Sequence, residues 1–387
     1  MTLLALAMGG FAIGTTEFAT MSLLPFISNG LAIDITQAGH LISAYASGVV
    51  VGAPVLAVLG ARVPRRRLLT GFMVLFAIGN LLSALAGSFH MMLLARFLTG
   101  LPHGAYFGVA ALMAASLVHP QRRAQAFARV MLGLTVATIV GVPLANAIGQ
   151  YAGWRWGFVL VSVLALSTAA MIAIFAPPAG VAATASPLKE LGALRNKQVW
   201  LTLATGAIGF GGMFAVYTYL GSTLLTVTMQ PATLLPPIFA VFGIGLTVGN
   251  LVGAKAADRA LQATGTGVLL WSMVSLALYP AATHNLGALL VVIFMIGCGG
   301  GLGAVLQTRL MDVAGDAQTL AAALNHSAFN FANALGPWLA GLAIASGAGL
   351  PMTGWVGCAL ATGGLLIWLT SLLLERQRRN ALATEAV

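Results

Sequence analysis

Long apolar runs, repeated along almost the whole chain, constrain this sequence more than any other feature. Each run has about 20–25 residues, the length that a helix needs to cross a hydrocarbon core of roughly 30 Å. Of the 387 residues, 59% are hydrophobic and only 7% are charged, whereas soluble proteins carry about 25% charged residues. The sequence therefore predicts an all-α polytopic membrane protein and argues strongly against a soluble helical bundle.

Clusters of charge, proline and glycine divide the apolar runs into twelve predicted membrane spans. An even number of spans places both chain termini on one side of the membrane. The first span is too long for the core of a signal peptide and has no basic start, so we expect it to be retained. In chain order, spans 1 to 12 are predicted at residues 3–27, 37–60, 68–88, 91–116, 123–149, 155–176, 198–225, 234–257, 265–283, 287–310, 318–345 and 351–374.

The basic residues lie in every second loop, and the loops between them carry almost none. Basic loops are cytoplasmic in most membrane proteins, so we expect both termini inside and the odd-numbered spans running outward. The same distribution assigns the net charge of +10 to membrane topology and not to a nucleic-acid-binding face. The main basic residues of these loops and of the tail are Arg62, Arg65, Arg66, Arg67, Arg122, Arg123, Lys189, Arg195, Lys197, Arg376, Arg378 and Arg379.

An internal repeat relates the two halves of the chain. Ala12–Gly14 recurs as Ala207–Gly209, and Gly52 is matched by Gly249, at offsets of 195 and 197 residues. Such duplications place a substrate site near the membrane midplane, between the halves. We predict a six-helix half at residues 1–176, a cytoplasmic linker at 177–197, and a second six-helix half with a short basic tail at 198–387.

Span 4 carries a charge at membrane depth. Arg96 lies about 8 Å from the outer end of span 4, and Glu17 about 15 Å from the outer end of span 1. A buried charge normally has a partner, and Glu17 is the one acid within an apolar span. We therefore predict a pair of Glu17 and Arg96. Two alternatives are that Asp34 is the partner, or that Arg96 reaches the outer headgroups.

Such a pair suits proton coupling. An alternately opening cavity would change the surroundings of Glu17, which could then bind a proton on one side and release it on the other. By the repeat, Glu17 corresponds to Gly212, so we expect coupling to reside in the first half.

Polar residues in two other spans are candidates for a substrate cavity. His103 lies in span 4, and span 11 carries Asn325, His326, Asn330 and Asn333. The last three share one helix face, because they are spaced three and four residues apart. A polar stripe within a bilayer indicates either a cavity or hydrogen bonds between helices. A buried histidine can also be a packed core residue.

Span 7 adds Phe214 and Tyr217 as candidate cavity aromatics, although ordinary core packing explains them equally well. In span 5, Gly133 and Gly141 permit close helix packing, and Pro143 removes a backbone hydrogen bond and favours a kink. These residues suit helices that rock against each other.

Motifs of other function classes are missing from the sequence. There is no GxxxxGK[ST] nucleotide loop, and no HExxH, CxxC or GxSxG pattern. Cys298 and Cys358 lie in apolar segments and are interpreted as small core residues. We therefore expect no enzyme, no cofactor and no metal.

Three segments are distinctive: span 1 contains FAIGTTEFATMSLLPFI, span 4 contains RFLTGLPHGAYFG, and spans 5 and 6 contain GVPLANAIGQYAGWRWGF. Together they resemble the major facilitator superfamily. More narrowly, they resemble its twelve-span drug:proton antiporters, near the bacterial sugar-efflux and chloramphenicol-resistance exporters. The resemblance implies proton coupling at Glu17 and Arg96, an antiporter motif at Gly133, Gly141 and Pro143, and a monomer in the bacterial inner membrane.

The loop after span 2 departs from the family pattern GxLaDRxGRR. It reads AVLGARVPRRR, with Ala61 in place of the acid and Pro64 in place of glycine. The second-half copy keeps the acid as Asp258, followed by Arg259. We expect a cytoplasmic gate in which Asp258, Asp312 or Asp316 partners the arginines of this loop. Those arginines are Arg62, Arg65 and Arg66.

Taken together, these features predict a proton-coupled exporter of small drug-like molecules that works by alternating access, with protons, substrate and lipid as its partners. Efflux of sugars, nucleosides or other metabolites is the alternative. A non-transporting membrane receptor or scaffold is a third reading.

Overall fold

A computed structural model describes residues 1–60, 63–119, 123–178, 195–314 and 318–385, and within these ranges the chain is helical, without strands. Two short segments, Ala137–Gly141 and Ile344–Ala348, are π-helices, and Ala232–Leu234 and Gly299–Gly301 are 3-10 helices. The α-helices are Thr2–Ser22, Leu24–Leu31, Ile35–Gly60, Arg65–Leu85, Phe89–Ser116, Arg123–Val136, Val142–Tyr151, Trp154–Phe175, Lys197–Gly209, Gly211–Thr226, Leu235–Ala282, Leu286–Cys298, Leu302–Val313, Gln318–Ala343 and Met352–Glu385.

These helices account for the twelve predicted spans. Ten segments of the described chain are long and apolar enough to cross a membrane. One of them, Ala232–Ala282, contains spans 8 and 9, and Ile35–Gly60 coincides with predicted span 2. The predicted fold class is confirmed.

Spans 8 and 9 differ from the prediction because no loop separates them. The helix Leu235–Ala282 is broken only at Ala260, where φ is −153° and ψ is 72°. Gly249 and Ser272 lie beside the consecutive residues Cys298 and Gly299 of span 10. Gly249 and Ser272 therefore lie at the same level along span 10, although the break at Ala260 separates them in the chain. The chain reverses direction at Ala260.

Several spans are interrupted where proline or glycine weakens the helix. Span 1 breaks at Leu23, two residues before Pro25, and span 7 breaks at Phe210, between two glycines. Span 5 widens into the π-helix Ala137–Gly141 just before Pro143. Such π-segments frequently mark functional sites, and this one packs against spans 1 and 8.

The two halves repeat the same helix crossing. In the first half, a Cβ on Gly48 would lie 2.1 Å from the carbonyl oxygen of Phe97. In the second half, Gly245 stands in the same relation to Phe294, at 2.4 Å, and both residues are 197 positions later. Only glycine permits this approach of spans 2 and 4, and of spans 8 and 10.

The predicted domain boundaries stay a prediction. Span 6 ends at Phe175 and span 7 begins at Lys197, and residues 179–194 of the predicted linker lie outside the described ranges.

The halves meet mainly between the midplane and the end of the bundle opposite the chain termini, called here the far end. Ser43 Oγ donates to the carbonyl of Ala334 at 2.9 Å, between spans 2 and 11. Gln150 Nε2 donates to the carbonyl of Ala232 at 2.7 Å, between the end of span 5 and the start of span 8. The two halves are therefore joined by hydrogen bonds toward the far end, which the predicted topology places outside.

Candidate functional site

Glu17 is buried in span 1 and is 7% exposed. Its Oε1 accepts a hydrogen bond from Nδ2 of Asn333 in span 11 at 3.1 Å. Donor and acceptor belong to different halves of the molecule, 316 residues apart. This carboxyl group therefore lies at the interface between the two halves.

Arg96 is completely buried. Its Nη1 donates to Oγ1 of Thr16 at 3.3 Å, and its Cζ lies 4.3 Å from the ring centroid of Tyr45 and 5.5 Å from that of Phe158. A guanidinium over an aromatic face is held by a cation–π interaction. The hydroxyl of Thr16 and the rings of Tyr45 and Phe158 thus contact the guanidinium where an acidic partner was predicted.

The geometry refines the predicted pair of Glu17 and Arg96. The two side chains form no direct ion pair in this conformation, although Arg96 binds Thr16, the neighbour of Glu17. Burial excludes the alternative in which Arg96 reaches the headgroups. Asp34 is occupied elsewhere, because its Oδ1 accepts from the backbone nitrogens of Thr36 and Gln37 at 2.8 Å each and caps span 2.

Thr16 and Asn80 are site residues that the sequence did not single out. Thr16 donates to Oδ1 of Asn80 in span 3 at 2.6 Å, and Nδ2 of Asn80 donates to the carbonyl of Phe76 at 2.9 Å. Both side chains are buried. An asparagine inside the apolar run of span 3 was the available signal.

His103 is buried, and its Nδ1 lies 2.9 Å from Oη of Tyr45. Its ring meets the edge of Phe107 at 5.4 Å. Phe107 stacks in turn on the half-buried His326 of the other half, with ring centroids 5.4 Å apart and planes only 4° apart. The two predicted histidines thus flank one phenylalanine, and Tyr45 joins this group to Arg96.

The amides of span 11 have three different roles. Asn325 donates to Oε1 of Gln307 in span 10 at 2.8 Å, a contact between helices of one half. Asn330 donates to the carbonyl of His326, one turn earlier in its own helix. Asn333 reaches Glu17. As predicted, His326, Asn330 and Asn333 share one face; the outer two of them contact the first half.

Phe214 and Tyr217 belong to an aromatic cluster at the same interface. The centroid of Phe18, next to Glu17, is 6.3 Å from that of Phe214 and 5.6 Å from that of Tyr217. Tyr217 packs against Phe242 at 4.2 Å and against Phe239 at 5.1 Å in span 8. The side chains of Phe214 and Tyr217 are both buried in the apolar core at this interface.

Several buried polar atoms around this interface have no hydrogen-bond partner within the described part of the chain. A buried polar group without a partner costs about 1–3 kcal/mol, so such atoms favour a site that a polar ligand or water completes. They include Arg96 Nε, Tyr217 Oη, Asn330 Oδ1 and Asn333 Oδ1.

The span 5 motif packs directly on span 1. A Cβ on Gly133 would lie 1.9 Å from the carbonyl oxygen of Ala7, and one on Gly141 would lie 2.1 Å from Oγ1 of Thr15. Pro143 follows within the first turn after the π-helix. Both glycines are therefore required for the close packing of spans 5 and 1, and the contact of Gly141 lies two residues from Glu17.

At the predicted cytoplasmic end, Arg65 and Arg66 bind backbone carbonyls of their own half. Arg65 Nη1 donates to Leu112 at 3.2 Å, and Arg66 donates to Ala173. Neither forms an ion pair with Asp258 or Asp312 within the described residues. Asp258 and Arg259 are exposed at the turn around Ala260. Arg62 and Asp316, also predicted for this gate, lie outside the described ranges.

Within the described residues, no group of three or more His, Cys, Asp or Glu side chains forms a cluster that could hold a metal ion.

The comparisons with known proteins agree with one another. A family model described as Major Facilitator Superfamily matches residues 6–264. Inner membrane transport protein YdhP of Escherichia coli (strain K12) is 40% identical, over 94% of this chain and 94% of that protein. A chloramphenicol resistance protein of Streptomyces lividans is 32% identical, over 98% and 97% of the two chains.

A probable sugar efflux transporter of Pasteurella multocida is 28% identical over 94% of this chain and 90% of that protein. The crystal structure of a bacterial homologue of the human lysosomal transporter Spinster, in an inward-facing and occupied conformation, aligns with a TM-score of 0.73. It is 16% identical and covers 95% of this chain and 96% of its own.

Proposed function

The chain belongs to the major facilitator superfamily, and we propose that it is a proton-coupled exporter of small drug-like organic molecules that works by alternating access. The family and the relatives make it a multi-pass membrane transporter of small molecules and not an enzyme. They also set aside the reading as a non-transporting receptor or scaffold.

The bond between Glu17 and Asn333 carries the proposal. Alternating access requires the halves to move apart at the far end, and we expect this movement to break the hydrogen bond between Glu17 and Asn333. The carboxyl group then exchanges a buried amide for a new environment. A change of environment of this kind is what lets a carboxyl group take up a proton in one state and release it in the other.

Arg96 completes the coupling site in this proposal. It adds a fixed positive charge one hydrogen bond away from the neighbour of Glu17. Because the guanidinium is always protonated, it biases the charge state of the carboxyl group and is not itself the carrier.

The substrate site is proposed at the interface next to Glu17. Phe214 and Tyr217 supply an aromatic wall, and Asn330 and Asn333 supply carbonyl oxygens without described partners. His103 and His326 lie further along the interface, on either side of Phe107. Rings with a few polar groups suit small organic molecules that carry both apolar surface and hydrogen-bond donors.

The outward direction is supported by the names of two relatives, a chloramphenicol resistance protein and a probable sugar efflux transporter. Export of sugars or other hydroxylated metabolites is the second candidate, and the amides of span 11 favour it. Both termini are proposed to face the cytoplasm, and the protein is proposed to act as a monomer.

Reconstitution into proteoliposomes tests the function. Counterflow is measured for chloramphenicol, a pentose, a nucleoside and an amino acid, and accumulation is then driven by a pH gradient. We expect the gradient to drive at least one compound. We expect Glu17→Gln to keep counterflow and to lose gradient-driven accumulation by at least about tenfold.

Asp34→Asn is the matched control, because Asp34 is an acid of the same half that is exposed and caps a helix. It should retain gradient-driven accumulation. Full gradient-driven accumulation by Glu17→Gln would refute the assignment of the coupling residue. Transport by the wild type that ignores the gradient would refute proton coupling.

A further inference from the structure

Tyr45 of span 2 lies between two groups that the proposed function uses. Its ring is 4.3 Å from Cζ of Arg96, and its hydroxyl is 2.9 Å from Nδ1 of His103. The side chain is 1% exposed. Tyr45 therefore contacts both Arg96 and His103, the first through its ring face and the second through its hydroxyl.

The ring of Tyr45 is a principal neighbour of the Arg96 charge. The guanidinium donates one side-chain hydrogen bond, to Thr16, and its Nε has no partner among the described residues. The other ring, Phe158, is more than 1 Å further away, at 5.5 Å. The position of the guanidinium therefore depends on where the ring of Tyr45 stands.

The hydroxyl of Tyr45 fixes where that ring stands. A buried tyrosine hydroxyl needs a hydrogen-bond partner, and here the partner is His103. His103 touches Phe107, which stacks on His326 of the opposite half. A displacement of span 11, or a ligand beside His103, thus has a continuous set of contacts through which it reaches Arg96.

We propose that Tyr45 is a positioning residue that links His103, in the substrate cavity, to Arg96, in the coupling site. This link rests on the proposed function. The charged and titratable groups that face Tyr45 are Arg96 and His103 of span 4 and Glu17 of span 1. Tyr45 makes this link through two interactions, its ring face with Arg96 and its hydroxyl with His103. Substitution can remove the hydroxyl interaction alone or both interactions together.

Three variants separate the two contacts in the proteoliposome assay. Tyr45→Phe removes the hydroxyl and keeps the ring, and Tyr45→Leu removes both. Tyr106→Phe is the matched control, because Tyr106 is a buried tyrosine of span 4 whose hydroxyl donates to the carbonyl of Leu6 at 2.8 Å. The quantity compared is gradient-driven accumulation divided by the counterflow rate.

For Tyr45→Phe we expect this ratio to fall about fivefold, a coupling loss of the size usual for linked sites. Tyr45→Leu should fall further, and Tyr106→Phe should keep the wild-type ratio, while both Phe variants lose a similar amount of thermal stability. A Tyr45→Phe ratio equal to that of Tyr106→Phe would overturn the link. A loss confined to Tyr45→Leu would overturn it too, because the hydroxyl would then play no part.

A second measurement does not depend on transport. The side-chain ¹⁵N resonances of Arg96 are recorded in micelles for His103→Gln, in the wild-type and the Tyr45→Phe backgrounds. We expect His103→Gln to shift the Arg96 signal only when the Tyr45 hydroxyl is present. An equal shift in both backgrounds would refute the link even if the protein exports its substrate with protons, and the expected pattern would support it even if proton coupling fails.

Discussion

Spans 2 and 4 of the first half and spans 8 and 10 of the second half cross in the same way, but different side chains occupy the two crossings. Gly100 packs on the carbonyl of Tyr45, and Gly297, 197 residues later, packs on the carbonyl of Phe242. At that offset, Arg96 of the first half corresponds to Ile293 of the second.

The backbone contact is thus repeated while the chemistry is not. Beside the first crossing lie a guanidinium, a histidine and a hydrogen-bonded tyrosine. Beside the second, Phe242 packs on Tyr217 at 4.2 Å, and Ile293 is buried in an apolar core. Close glycine packing sets the architecture, and the side chains around it are free to differ. This difference supports coupling in the first half and substrate contacts in the second.

Placing a glutamate in the second half, at the position that corresponds to Glu17, should have the largest effect on stability. Gly212 corresponds to Glu17 at the 195-residue offset that relates spans 1 and 7. A Cβ on Gly212 would lie 2.4 Å from the carbonyl oxygen of Gly357. We expect Gly212→Glu to destabilise the protein by about 3 kcal/mol or more, measured as the thermal midpoint in detergent. Gly267→Ala, a control with open space in the same half, should not destabilise. A stable Gly212→Glu protein would mean that the second half could hold such an acid.

A second contrast lies at the predicted cytoplasmic ends of spans 4 and 10. Arg309 is buried and pairs with Glu375 of span 12 at 2.5 Å, whereas its counterpart at the 197-residue offset is Leu112, whose carbonyl accepts from Arg65. At this end, the second half is therefore held by an ion pair, and the first by a hydrogen bond from Arg65 at the start of span 3.

Arg309→Met should cost about 2 kcal/mol, below the usual range for a buried pair because the Glu375 side chain is 19% exposed. Within the described part of the chain, Arg309 binds Gln198 and Glu375 of its own half and no residue of the proposed coupling site. The folded variant should therefore keep the wild-type ratio of gradient-driven accumulation to counterflow. Loss of that ratio would show that coupling is not confined to the first half.

The smallest expected effect concerns the starts of spans 2 and 8. Span 2 is capped by Asp34, whereas span 8 begins with prolines and has no side-chain cap. The hydrogen bond from the Thr36 hydroxyl, followed by that from the Gln37 backbone, holds the pKa of Asp34 below its usual range.

We expect Asp34→Ala to lower stability by about 0.5–1 kcal/mol near neutral pH. Because the pKa of Asp34 is lowered on folding, its contribution is complete above the ordinary pKa of aspartate and is lost as the pH falls through the lowered value. The thermal midpoints of the two proteins should therefore converge in acid. A difference that grows in acid would contradict the capping role.

The twelve spans could be predicted because length and hydropathy decide which segments cross a bilayer. The residue that starts or breaks a helix was less predictable. The turn at Ala260 has no proline or glycine, and the packing of spans 8 and 9 against span 10 imposes it. The π-helix before Pro143 likewise depends on its contacts with spans 1 and 8.

Within the site, Glu17 and Arg96 were predictable because a charge in an apolar span requires explanation. Their actual contacts were not. A threonine or tyrosine in an apolar run carries no sign of what faces it on another helix, so Thr16 and Tyr45 were missed. Asn333 was predicted for a cavity, but its bond to Glu17 depends on how the two halves dock.

The bond between Asn333 and Glu17 has a consequence for how the molecule responds to its surroundings. Because this hydrogen bond joins the two halves, its free energy contributes both to the docking of the halves and to the protonation equilibrium of the carboxyl group. Reciprocity then applies. A proton or ligand that binds the carboxyl group in place of Asn333 weakens the docking of the halves. Separation of the halves favours that binding by the same free energy. A titration of Glu17 would thus also report how far the two halves are docked.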